Sequence, residues 1–317
     1  MKTGGGPGRW TLAAAAAGLF LLVPVRAQPP VRPRILGVAQ AAFYVHDLAA
    51  ARQFYGGFLG YAEAFSLKKP DGGVKAVLFK IGDHQSIELI PEPAPATDRL
   101  DHIALETDDA EAMRLYLRSR GIAVPDQVTP GVVTTAYFRV ADPDGHLVEF
   151  AQYSPGSGTA RDFGQHLPAT RISLHLSHAG IMVRHLDAAL KFYRDILGCV
   201  EIRRGSGNGK VLSWDNLRVP DGTDWVEFML YDGKPTLAKM GVSHHFCLVV
   251  PDAAAAAKTL AGRPLPPGAR LLPEVSVGND HKRKAQAYDP DGTRVEFMEP
   301  ATVDGRPAPS STAPPPA

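Results

Sequence analysis

Two stretches of this chain, "VADPDGHLVEF" at 140–150 and "AYDPDGTRVEF" at 287–297, spell one turn followed by one strand, twice. Proline presets φ, Asp bonds its own backbone and Gly accepts a positive φ, so each DPDG is a tight turn. In the strand that follows, Val and Phe share one face and the Glu between them points to the other. The repeat extends further. "FYVHDLAAARQFYGGFLG" (43–60) matches "IMVRHLDAALKFYRDILG" (181–198), with 138 residues from Phe54 to Phe192 and again from Leu59 to Leu197. From Asp142 to Asp289 the separation is 147, so a few residues were inserted along the way. The two halves are copies of one domain.

Each copy is itself double. Four segments share an order: an apolar strand, an Asp, a helix, a Gly, then three strands. The helices are expected from Asp47 to Gly60, Asp109 to Gly121, about Asp187 to Gly198, and Asp252 to Gly262. Asp caps orphan amides at the start, and Gly just past the end takes the left-handed conformation. Strands such as "KAVLFKI" (75–81), "SIELI" (86–90), "TTAYFRV" (134–140) and "VEFML" (226–230) complete a βαβββ unit used four times. The fold class is therefore α+β, with domains at 36–152 and 172–300. The segment 153–171 has linker composition, and the Pro/Ser/Ala-rich tail 301–317 lacks the apolar surface to order itself. A sheet with helices on one face leaves its other face for solvent, a partner or a ligand.

Lys+Arg number 34 against 33 Asp+Glu, which leaves no basic field and argues against nucleic acid as a partner. Lys2 and Arg9 precede the apolar run "TLAAAAAGLFLLVPV" (11–25), and "VRA" stands before Gln28. Residues 1–27 read as a secretory signal peptide, which predicts a periplasmic or secreted protein with no stable membrane span once the signal is removed. An exported protein could join Cys199 to Cys247; the two thiols serve equally well as small hydrophobes.

The repeated Glu acquires a purpose when the four units are aligned. Each offers one polar residue on its first strand and one Glu on its last: Gln40 with Glu88, His102 with Glu149, His178 with Glu227, and His245 with Glu296. The spacings are 48, 47, 49 and 51. Parity sends every one of them to the helix-free face: Gln40 opposes Ala41 and Phe43, His178 opposes Ala179 and Ile181, and Glu227 lies between Val226 and Phe228. Imidazole and carboxylate converging in a concave site describe a divalent metal centre for Zn, Ni, Mn or Fe(II). Unpaired acids there would repel one another, and a cation removes that penalty.

These stretches, with "DHIALETDD" (101–109) and "HHFCLVVPD" (244–252), resemble the vicinal oxygen chelate superfamily, which includes glyoxalase I, bleomycin-resistance proteins and extradiol dioxygenases. The resemblance implies tandem domains whose paired modules form a cup around a metal, chelated by two oxygens of a small-molecule substrate. It implies that His178, Glu227, His245 and Glu296 form one ligand set and Gln40, Glu88, His102 and Glu149 another. It makes a distal Glu, Glu296 or Glu149, the catalytic base of glyoxalase-like isomerase or lyase chemistry. Modules could pair within a domain or across domains. An extradiol dioxygenase would use His178, His245 and Glu296 as an iron triad, but Gln286 stands where that group carries its Tyr, with His281 and Tyr288 as neighbours. Glutathione adducts are cytosolic, so export argues against them as substrates. A drug-binding protein of the bleomycin-resistance type would use Tyr44, Trp225 and Met229 as cup lining. "RRGSGNGK" (203–210) reads as a hairpin loop and "DHKRK" (280–284) as a solvated loop.

Overall fold

A computed structural model describes residues 1, 4–6, 8, 30–95 and 97–316. The leader's apolar run and the expected cut before Gln28 lie outside the described residues. Among those described, no helix is long and apolar enough to cross a membrane.

The first domain holds strands β1 (Ile35–Val45), β2 (Ala62–Lys68), β3 (Val74–Gly82), β4 (Gln85–Pro91), β5 (Leu100–Thr107), β6 (Thr129–Pro130), β7 (Ala136–Ala141) and β8 (Leu147–Gln152). They form one sheet in the order β2-β3-β4-β1-β5-β8-β7-β6. The second domain repeats it with β9 (Leu176–Val183), β10 (Val200–Gly205), β11 (Trp214–Arg218), β12 (Trp225–Leu230), β13 (His245–Val249), β14 (Arg270–Val277), β15 (Lys282–Tyr288) and β16 (Arg294–Thr302), ordered β10-β11-β12-β9-β13-β16-β15-β14. The four βαβββ units are thus present. Adjacent units pair, because β1 bonds β5 and β9 bonds β13 antiparallel within each domain. That settles the pairing left open by the sequence.

The helices are α1 (Leu48–Arg52), α2 (Ala110–Ser119), α3 (Gly158–Arg161), α4 (Leu186–Leu190), α5 (Leu237–Ser243) and α6 (Ala253–Ala261). Asp47, Asp109 and Asp252 accept backbone amides as N-caps. The third helix differs from expectation: His185 is its N-cap, without a side-chain bond, and Asp187 sits in the first turn. α1 and α4 each continue as a π-helical turn, Gln53–Phe58 and Lys191–Ile196, which no residue pattern announced. Gly60, Gly121 and Gly198 close their helices at φ near +80°, whereas Gly262 has φ −85° and is not left-handed.

The helix-facing sides of the two sheets meet in one continuous core, in which Phe43 and Phe246 approach to 5.8 Å between ring centres. The repeated turns fasten it. Tyr55 of the first domain donates to Asp289 Oδ2 at 3.0 Å, and Tyr193 of the second to Asp142 Oδ2 at 3.1 Å. The His46 and Arg184 amides bond Asp291 and Asp144 in the same crossed fashion. DPDG recurs because each copy receives a Tyr from the other domain.

The Pro/Ser-rich tail has no core of its own, as its composition dictates, yet it is held. Ser311 N bonds Arg204 O at 2.9 Å, Leu212 N bonds Pro314 O at 2.8 Å, and Arg203 Nε donates to Pro309 O at 3.0 Å. The bare edge of β10 and the segment that follows it supply the partners that the tail lacks.

Candidate metal centre

Two transverse rows of the second sheet build the site. One runs Gln286, Glu296, Cys247, His178, Trp225; the next runs Tyr288, Arg294, His245, Gly180, Glu227, Asn216. Gly180 lies between His245 and Glu227 for a steric reason. A Cβ there would come within 2.1 Å of the His245 ring, so only Gly lets the imidazole cross the neighbouring strand. Trp225 stacks on His178 at 4.7 Å and fixes the plane of that ring.

The four expected side chains converge. His178 Nε2 lies 3.3 Å from His245 Nε2, 3.7 Å from Glu227 Oε2 and 3.9 Å from Glu296 Oε2. His245 Nε2 lies 3.1 Å from Glu227 Oε2 and 4.0 Å from Glu296 Oε2. Ligand atoms of His178, Glu227 and His245 all fall within 4.8 Å of one another, as do those of His178, Cys247 and Glu296.

The protonation states fit a cation. Burial pulls the His178 imidazolium down to about 4, against the pull of Glu227, so the ring is neutral and its lone pair available. Ser243 O sits 2.8 Å from His245 Nδ1 and can only accept, which favours a hydrogen on Nδ1, whereas Glu227 Oε2, 3.1 Å from Nε2, favours one there. Arg294, 3.0 Å from the same Nδ1, sides with Glu227; a cation at Nε2 selects the first tautomer. Burial pushes Glu296 up, but Arg294 and Lys284 outweigh it and hold the carboxyl well below its usual range. Cys247 is a buried free thiol that burial keeps protonated, and Cys199 is also free.

The first domain assembles its set differently. His102 Nε2 lies 3.6 Å from Glu88 and 3.7 Å from Glu149, with Nδ1 held by Asp101 at 2.6 Å. The Arg139 guanidinium stands among them, 2.7 Å from Glu149 and 3.4 Å from His102 Nε2. Gln40, 3% exposed, lines a cavity of about 590 Å³ with Glu88, Glu149 and Arg139. Among the described residues, both clusters able to hold a metal are in the second domain.

Sequence reading missed several of these groups. Arg139 stands 147 residues before Gln286, the offset of the DPDG turns, so the repeat could have exposed it. Arg294 shares the strand face of Glu296 two residues on. "DHKRK" is not a solvated loop: Lys282 to Lys284 lie on β15, and Lys284 Nζ reaches to 3.9 Å from Glu296. Tyr288 OH is 3.3 Å from Gln286 Oε1, whereas His281 is turned to Asp304.

The chain matches the Glyoxalase/Bleomycin resistance protein/Dioxygenase superfamily over residues 37–150 and 175–297. It belongs to that family. Among solved structures it is similar to the 2,3-dioxygenase LapB from Pseudomonas sp. KL28, with TM-score 0.63 and 17% identity over 87% of this chain and 97% of that one. It is similar to a point variant of homoprotocatechuate 2,3-dioxygenase from B. fuscum, with TM-score 0.65 and 17% identity over 91% and 78%. It is also similar to the Mn(II)-bound glyoxalase from Novosphingobium aromaticivorans, with TM-score 0.65 and 18% identity over 90% and 89%. No curated protein matches. At these identities the likeness establishes the fold alone.

Proposed function

We propose that this protein is an exported, divalent-metal-dependent enzyme that moves a proton on a small oxygen-chelating anion. The observation that carries the reading is Glu227. Its Oε2 lies 3.1 Å from His245 Nε2, whereas Glu296 Oε2 lies at 4.0 Å, which supports a donor set that includes Glu227 beside His178, His245 and Glu296. Such a set fits Zn, Ni, Mn or Fe(II). A bound ion would polarise a carbonyl and acidify the neighbouring C–H.

The protein's own groups supply the rest. The resemblance points to Glu296 as base. Burial pushes the Glu227 carboxyl up, but His245 and His178 hold it down to about 2, yet Glu227 is the less depressed of the two. Glu296 has Arg294 at 3.2 Å and Lys284 at 3.9 Å, which weaken it as a proton acceptor. Glu227 has no Lys or Arg within 4 Å among the described residues, and its side chain is the more exposed, 14% against 4%. Glu296 then serves as a fixed anionic ligand. A divalent ion balances the two carboxylates, which leaves Lys284, Arg294 and the buried Arg203 as positive charge around the cup, with Asp280 nearby. Anionic substrates are drawn to such a site. Export rests on residues 1–27, and a mature N-terminus at Gln28 would support it.

Extradiol cleavage is the second reading, favoured by Tyr288, whose hydroxyl reaches Gln286 beside Glu296. The test is to supply the Mn-, Ni-, Zn- and Fe(II)-loaded protein with carboxylated hemithioacetals and with carboxylated catechols. Isomerised product without oxygen consumption is expected. Stoichiometric oxygen uptake with a catechol would make it a dioxygenase. No turnover in either arm would leave a binding protein.

A further inference from the structure

We propose that the first cup is a metal-free pocket for a small amphipathic amine, with Arg139 standing where the second cup would hold its ion. The comparison is internal. In the second domain Gln286 opposes Glu296 across β15 and β16; in the first, Arg139 opposes Glu149 across β7 and β8. That one exchange brings a fixed positive charge to 2.7 Å from Glu149 Oε2, with Asp101 Oδ2 at 3.4 Å and His102 Nε2 at 3.4 Å. His178, the imidazole ligand at the corresponding position of β9, is matched by Gln40 on β1, which has no imidazole to offer. A divalent ion entering this cup would have to displace the guanidinium and do without the second His.

The space is nonetheless built for something. The cavity of about 590 Å³ is of the size that takes small organic ligands. Its apolar wall includes Leu67, Leu78, Ile90 and Val133. Two largely buried polar residues face it, Gln40 at 3% exposure and Glu88, whose side chain keeps 11%. Among the described residues neither has a hydrogen-bond partner, the closest approach to Glu88 being His102 Nε2 at 3.6 Å. Both groups open to the cavity with no protein partner, so their hydrogen-bonding capacity is free for a ligand. Glu149 and Asp101 are answered by Arg139; the Glu88 carboxylate is not. What it lacks is a charged donor, and an ammonium on an apolar body answers both it and the wall. Lys75 stands at the exposed rim.

Isothermal titration of the metal-loaded full chain with phenethylamine, 2-phenylethanol and phenylacetate tests this. Phenethylamine should bind one per chain. Glu88→Gln should weaken it at least tenfold, as should Gln40→Leu, a second variant should the first not fold. His245→Ala, which strips the other cup, should leave amine binding unchanged. Phenylacetate should not compete. The proposal is overturned by amine binding that survives Glu88→Gln, by loss of binding in His245→Ala, by equal affinity for the alcohol, or by no binding. Two metal ions per chain, one of them lost in Glu88→Gln, would overturn it as well.

Discussion

Burial gives His178 a pH sensitivity of its own in the second cup. Its pKa falls from 6.5 in the unfolded chain to about 4 in the fold, because burial opposes the charge. Between those values the unfolded chain binds a proton that the native state refuses, so the contribution to stability is complete above about pH 6.5 and is lost as pH falls toward 4. In chemical denaturation of metal-stripped protein from pH 4 to 7, that slope should appear as the difference between the parent and His178→Gln, because Asp215 and Asp289, which burial raises to about 7, titrate in the same window with the opposite sign in both. Gly180 gives a complementary prediction. Gly180→Ala drives a methyl into the His245 ring and should cost about 1–3 kcal/mol, with metal lost at a concentration the parent retains. Chelator competition reads that outcome; unchanged affinity would mean the ring has room. At this scale the convergence of His178, Glu227, His245 and Glu296 was legible because parity and spacing are one-dimensional. Arg139 was missed although the repeat offset to Gln286 marks its position; that it stands opposite Glu149 is a matter of sheet register.

The helices separate what capping can do from what it cannot. Asp109→Ala and Asp252→Ala each remove a side-chain bond to a helix amide and should cost about 1 kcal/mol in thermal or denaturant melts. His185→Ala at the matching position of α4 should cost less, because His185 makes no capping bond. The βαβββ order was readable from Asp, Gly and alternation, each a local signal. The π turns at Gln53–Phe58 and Lys191–Ile196 were not, being imposed by packing of Phe54-Tyr55 and Phe192-Tyr193 against the core. Gly262 shows the same limit: a helix can end on Gly without the left-handed turn that Gly permits.

Across the whole molecule, the two domains share one apolar core and a crossed pair of Tyr–Asp bonds. Tyr55→Phe strips a donor from fully buried Asp289 and should cost about 1–3 kcal/mol; Tyr193→Phe should do the same through Asp142. Both variants and the parent should unfold in a single transition by circular dichroism and fluorescence alike. Two separated transitions would mean that the halves are independent. The pairing of modules within a domain could not be read from sequence, since either arrangement brings the same residue types together.

The number of ions per chain, and its dependence on one carboxylate, bears most directly on the second cup. Metal content should be measured after gel filtration for the parent, His245→Ala and Glu227→Ala. A four-residue centre confined to the second domain predicts one divalent ion per chain in the parent and loss from both variants. Iron retained at full occupancy in Glu227→Ala, or no metal in the parent, would contradict it.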